Sequence, residues 1–167
     1  MKAARFGRLA LALLAAAALA SFAIADEKAD PNAAAAAATR QAEQWLRAMD
    51  EHRYDEAWND QAAVVKASRT EQEWVQEFSG PREALGKPVM REFKQAEFST
   101  RLRGAPEGEY VTVVYLTKFT NIPLAAETVI LAHENGQWLV GGYSITDATP
   151  APGTPDAASS PQPKTKD

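Results

Sequence analysis

The chain has 167 residues, with 18 basic and 22 acidic side chains and no cysteine. That length accommodates about one ordinary domain. The absence of cysteine excludes disulfides, thiolate chemistry, cysteine-ligated metals and lipid attachment through a cysteine. The acidic balance argues against nucleic acid or anionic lipid as the main partner.

Lys2, Arg5 and Arg8 form a basic start, and Leu9 to Ala20 is an unbroken run of Leu and Ala. Ala23-Ile24-Ala25 then precedes the charged Asp26-Glu27-Lys28. This is the pattern of a secretory signal peptide over residues 1–25, cleaved after Ala25, which sends the mature chain to the periplasm or outside the cell. The apolar run falls short of the roughly 20 residues that span a bilayer, and no longer one follows it. No membrane anchor is therefore expected after cleavage. Losing three basic side chains makes the mature chain more acidic still.

Residues 26–38 are a charged stub followed by Pro31-Asn32 and an alanine run. Alanine is the best helix former, so this segment reads as a linker or a helix extension, with Asn32 as candidate N-cap. Residues 149–167 carry Pro150, Pro152, Pro155, Pro161 and Pro163 among small polar residues. Such a tail buries too little apolar surface to offset its ordering entropy and is expected to be disordered. The domain is left to residues 39–148.

Its first half has a helical period. Ala38, Ala42, Trp45 and Met49, with Leu46, form one stripe of a first helix. Tyr54, Ala57 and Trp58 share a face of a short second one. Thr70-Glu71-Gln72-Glu73 has the form of a capping box that opens a third, with Trp74, Val75 and Phe78 as its stripe. Gly80-Pro81 is expected to interrupt it before a last turn through Leu85.

From Val89 the period is two. Val89 to Leu102 reads as a strand whose apolar phase switches near Lys94-Gln95, the sign of a bulge. Tyr110 to Phe119 is a second strand, and Glu127 to His133 a third. Asn135-Gly136 marks a type I′ hairpin into a fourth strand, Gln137 to Ile145. With Glu134 opposite Gln137, that turn sets Leu131 against Val140, Val129 against Gly142 and Glu127 against Ser144. Val129, Leu131, Trp138 and Val140 then share one face, and Ile130, Leu139, Tyr143 and Ile145 the other. A sheet apolar on both faces needs a second cover, such as another copy of the chain in a homodimer or an envelope protein. Gly141-Gly142 lets the strand curve or another group approach closely.

Three helices followed by four antiparallel strands predict an α+β layer, with the helices packed on a curved sheet. The order suggests the cystatin-like cone, also called the nuclear-transport-factor-two-like fold. Trp45, Tyr54-Asp55-Glu56-Ala57-Trp58, Arg82-Glu83-Ala84-Leu85-Gly86 and Arg91 carry a resemblance in the first half. Gly104 to Val111, Phe119, Glu127-Thr128-Val129, Gly136-Gln137-Trp138 and Gly142-Tyr143 carry it in the second. Together they resemble the bacterial family known as domain of unknown function 4019. The resemblance implies an exported domain of one type and transfers no activity, cofactor or catalytic residue. The long Pro/Ala tail departs from the family pattern.

No nucleophile elbow, phosphate loop or metal-ligand spacing is present, and no cofactor is expected. His52 and His133 sit on separate elements. Glu127 is the carboxylate of interest, because the hairpin register places it beside Val129 and Leu131. Burial there demands a cation, with Arg91 and Arg82 as candidates. Either this is an ion pair closing the sheet, or Glu127, Arg91 and Arg82 mark the mouth of a ligand pocket walled by Tyr110, Tyr143 and Trp58. The expected function is a non-enzymatic envelope module that binds a small molecule or a protein. The alternatives are a cone-fold enzyme using Glu127 for acid–base work, and a purely structural dimer.

Overall fold

The computed structural model describes residues 30–149. The expected signal segment, and all of the expected tail beyond Thr149, lie outside the described residues. Four helices come first: α1 (Pro31–Asp50), α2 (Tyr54–Asn59), α3 (Ala63–Ser68) and α4 (Glu71–Leu85). Four strands follow: β1 (Pro88–Ser99), β2 (Tyr110–Phe119), β3 (Ala125–Glu134) and β4 (Gln137–Asp147). They form one open antiparallel sheet in the order β1-β2-β3-β4.

The alanine run is helical from Pro31. Asp30, rather than Asn32, is the cap: its Oδ1 accepts from Asn32 N at 2.9 Å, and Pro31 takes the first helical position, where no N–H is needed. Ala38, Ala42, Trp45, Leu46 and Met49 of α1 are fully buried and lie across the inward face of the sheet. The capping box of α4 forms as its sequence predicts, with Thr70 and Glu73 bonded reciprocally.

Two further expectations for the helical half are overturned. Among the described residues the helices number four, because Ala63–Ser68 forms α3; its six residues bury no stripe and no side chain caps it, so nothing in its pattern announces a helix. Gly80-Pro81 also fails to interrupt α4, which continues to Leu85 with Pro81 inside it. A proline disfavours helical backbone in the preceding residue partly through that residue's Cβ, and Gly80 has none.

In the sheet, Val111, Val113, Tyr115, Thr117 and Phe119 of β2 point inward and are buried, as are Glu127, Val129 and Leu131 of β3. The bulge in β1 falls between Phe93 and Gln95, where the apolar phase switches. Bulges together with exposed Glu92, Lys94 and Glu97 blunt β1 as an edge strand. Asn135 (φ 51°) and Gly136 (φ 80°) both have the positive φ of a type I′ turn.

The hairpin register holds from Glu134/Gln137 to Leu131/Val140 and then slips. Gly141 is an extra residue opposite the Ile130–Leu131 step, so Val129 pairs with Tyr143 and Glu127 with Ile145, in place of Gly142 and Ser144. Because side chains alternate, one extra residue turns everything beyond it to the other face. Tyr143 and Ile145 therefore point inward. The slip occurs where residues 60–62 add to the free edge of β4: Ala62 N donates to Val140 O and Val140 N to Asp60 O, both at 2.8 Å. Val114, Leu116, Ile130 and Leu139 remain on the outward face, half-buried.

Gly86 ends α4 at φ 75°, and a Cβ there would collide with Thr120 Oγ1. The segment is fastened to the β2–β3 turn by Asn121 N to Leu85 O (3.1 Å) and Thr120 N to Lys87 O (2.9 Å). Gly86→Ala is expected to cost about 2 kcal/mol, from left-handed strain plus the clash. Urea unfolding should show this as a lower midpoint at unchanged slope.

Candidate functional site

Five elements after the first helix and the end of α1 itself converge on one carboxylate. Alternation places Thr117 of β2 and Glu127 of β3 on the inward face, and the Gly141 bulge turns Tyr143 to join them. Arg82 extends the inward stripe of α4 one turn beyond Phe78. Arg91 comes from β1 and Asp50 from the last position of α1.

Glu127 is fully buried and accepts four hydrogen bonds. Arg82 Nη1 (3.0 Å) and Tyr143 Oη (2.6 Å) donate to Oε1, while Arg91 Nε (2.8 Å) and the Thr117 hydroxyl donate to Oε2. Those four donors match the roughly four lone-pair sites of a carboxylate. Asp50 engages further guanidinium donors: Arg91 Nη1 at 2.7 Å, Arg91 Nη2 at 3.0 Å, and Arg82 Nη2. Arg82 Nη1 also donates to Tyr143 Oη at 2.6 Å, and the guanidinium lies 5.5 Å from the Phe119 ring centre. Two cations face two anions, so the cluster is neutral.

Burial alone would raise the Glu127 carboxyl, but the Arg91 charge and the bonds from Arg91, Thr117 and Tyr143 outweigh it and hold the carboxyl below the usual range. Burial, followed by the Glu127 charge, pushes the Tyr143 hydroxyl well above its ordinary value. Burial opposes the charge of Arg91, yet its bonds to Asp50 and Glu127 prevail and raise it. A carboxyl depressed in the folded state stabilises fully above its unfolded pKa, about 4.3, and the contribution fades as pH falls through the folded value. Thermal stability is therefore expected to drop below about pH 4.3 in wild type. Circular-dichroism melts of Glu127→Gln over the same range should lack that component.

Beside the cluster, four aromatic rings close a circuit. Ring centres are 6.4 Å apart for Trp45–Trp74, 5.0 Å for Trp74–Phe78, 6.0 Å for Phe78–Tyr143 and 4.9 Å for Tyr143–Trp45. These rings line a cleft of about 170 Å³ between the helices and β4. Trp45 Nε1 and Gln61 Nε2 both donate to Ala57 O, at 3.0 and 3.2 Å.

Of the six residues singled out as a candidate pocket, Glu127, Arg91, Arg82 and Tyr143 meet in the cluster. Trp58 packs on Trp74 within the helical layer, at 5.9 Å between ring centres. Tyr110 lies on the outward face, pairing with Ala132, and its hydroxyl donates to Pro106 O at 2.8 Å beside a groove of about 440 Å³. His133 Nδ1 contacts Glu109 Oε2 at 2.7 Å, and its ring stacks on Trp138. His52 contacts the Tyr54 hydroxyl at 3.1 Å. Among the described residues no group of acidic and histidine side chains could hold a metal.

Sequence reasoning missed Asp50 and Thr117. Asp50 did carry a signal: an acid at a helix C-terminus opposes the helix dipole and calls for a tertiary partner. Thr117 occupies an inward position among Val113, Tyr115 and Phe119, which marks it as a buried polar group in need of one.

The whole is an α+β domain of helices on an open antiparallel sheet, joined at the seam by a neutral, hydrogen-bonded ion cluster. The sequence profile of the family described as Protein of unknown function (DUF4019) matches residues 41–143, more than half of the chain. The chain belongs to that family, and the matched stretch contains every member of the cluster. No curated protein and no solved structure matches it.

Proposed function

We propose that this chain is an exported, non-enzymatic domain that binds a small molecule or a protein in the cell envelope, built as a cone-type arrangement of helices over a curved sheet. Export rests on the basic start, short apolar run and Ala-x-Ala site of residues 1–25. The observation that carries binding over catalysis is the state of Glu127. Its oxygens accept four donors and two guanidinium groups hold it ionised, so it has neither a free lone pair to take a proton nor a proton to give. The enzyme alternative loses its acid–base group.

Native mass spectrometry of protein recovered from the periplasm tests this reading. The expected result is a chain beginning at Asp26 that carries an adduct released on unfolding. A chain retaining residues 1–25 would contradict cleavage after Ala25, absence of the chain from the periplasm would contradict export, and persistently bare protein would contradict small-molecule binding. One observation favours a second reading, association of two copies: Val114, Leu116, Ile130 and Leu139 stand together on the outward face, half-buried. Light scattering at micromolar concentration should then give twice the chain mass; a monomer removes that reading.

A further inference from the structure

We propose that the groove on the outward face of the sheet, between the 102–109 loop and α3, binds a small organic amine: an apolar body carrying a single cationic group. The proposal rests on the reading of the chain as a binding domain. At about 440 Å³ the groove falls in the range of small-molecule sites, about 300–1,000 Å³. Tyr110, Ile130 and Gly141 form its floor, Leu102 and Pro106 one wall, and Val64 the other. All of them are half-buried or exposed, so a guest can reach them. Val64, at 59% exposure, is a large apolar side chain left open to solvent, and a guest in the groove would cover it. Both walls are fastened, so the groove is preformed. Tyr110 Oη donates to Pro106 O at 2.8 Å, and Arg101 pairs with Glu107 at 3.4 Å across the loop. On the other side Ala63 N, at the start of α3, donates to Glu134 Oε2 at 3.0 Å, and Ala62 N donates to Val140 O at 2.8 Å.

Charge selects the guest. Glu107, Glu109 and Glu134 line the groove with Arg103, and the neighbouring Arg101 offsets Glu107. With His133 neutral, three carboxylates stand against two guanidinium groups. Glu109 commits Oε2 to His133 Nδ1 at 2.7 Å and Glu134 commits Oε2 to Ala63 N, so each keeps Oε1 without a partner among the described residues. A single ammonium on the guest offsets the excess negative charge and donates to those oxygens in charge-assisted hydrogen bonds. A carboxylate on the guest would add to the excess and be repelled.

The probes are tryptamine, tryptophol and indoleacetate, which share one apolar body and differ in the charge of the head group. They are titrated calorimetrically into the full mature chain at neutral pH. Val64→Trp fills the groove from an exposed position, where the fold tolerates a larger side chain. The expected result is saturable tryptamine binding about tenfold tighter than tryptophol, no binding of indoleacetate, and loss of both bound probes in Val64→Trp. In the double variant Glu109→Gln/Glu134→Gln, shown to be folded by circular dichroism, tryptamine is expected to weaken about tenfold to the level of tryptophol, with tryptophol unchanged. Equal weakening of both probes there would overturn the charge selection, because it marks the two carboxylates as merely structural. Tryptamine binding unchanged in both variants would overturn the site. Tryptophol or indoleacetate bound as tightly as tryptamine would overturn the ligand class while leaving the binding domain intact. No binding of any probe, by protein that nonetheless leaves the periplasm with an adduct, overturns the groove alone; if the recovered protein is also bare, both readings fall.

Discussion

Glu127→Gln is expected to destabilise the fold by about 3–5 kcal/mol, the range for breaking a buried charge pair by removing one partner. The substitution nearly conserves volume, so the loss is electrostatic. It leaves the Arg82 and Arg91 guanidinium groups close together with only Asp50 between them, and a net positive charge in the core. An amide also replaces one acceptor oxygen by a donor, which must face Arg or a hydroxyl that already donates. Asp50→Asn, at a half-buried position nearer solvent, is the milder lesion. Urea unfolding monitored by tryptophan fluorescence measures both. A loss below about 1 kcal/mol for Glu127→Gln, the worth of an exposed pair, would mean that water screens the cluster.

Trp45→Ala should cost as much, about 3–5 kcal/mol, by a different route. Trp45 is fully buried in the C-terminal half of α1, its ring contacts both Trp74 and Tyr143, and its indole N–H bonds to Ala57 O. Truncation opens a cavity at the junction of α1, α4 and β4. Trp45→Phe separates the two contributions: it keeps a ring in place and loses the hydrogen bond, for about 1 kcal/mol plus the smaller volume. Because Tyr143 holds Glu127, the Trp45→Ala and Glu127→Gln losses are expected to be non-additive when combined.

The elements whose signals are local were legible in the sequence. Asn135-Gly136 sets its turn through two positive φ angles, Thr70 and Glu73 cap α4 as their spacing requires, and the switch of phase at Lys94-Gln95 becomes a bulge. The burial of Glu127 was also readable, since it follows from counting back along one strand from that turn. What escaped depends on distant partners. Gly141-Gly142 marked β4 for curvature or close approach, but the register slip at Gly141 arises where residues 60–62 pair onto β4, a contact some 80 residues away in the chain. It decides which face Tyr143 occupies, and with it both the ion cluster and the aromatic circuit. Helix α3 is too short to show a stripe. Pro81 reads as a breaker, yet the flanking contacts of α4, above all Arg82 in the cluster, hold the helix together through it.

The same bulge explains why the outward face is less apolar than the turn register implies. Tyr143 and Ile145 leave it, and Gly142 and Ser144 take their places. What remains is a narrower stripe on β2 and β3 with Leu139, beside the Tyr110 groove.

The claim on which the function rests is that Glu127 is a permanently ionised counter-ion. Carbon-detected NMR of the labelled side-chain carboxyl through an acid titration tests it directly. Glu127 is expected to stay ionised through the ordinary carboxylate range and to take up a proton only as the fold gives way. A carboxyl that titrates at or above about 4.3 in the folded protein would contradict this and return Glu127 to acid–base work.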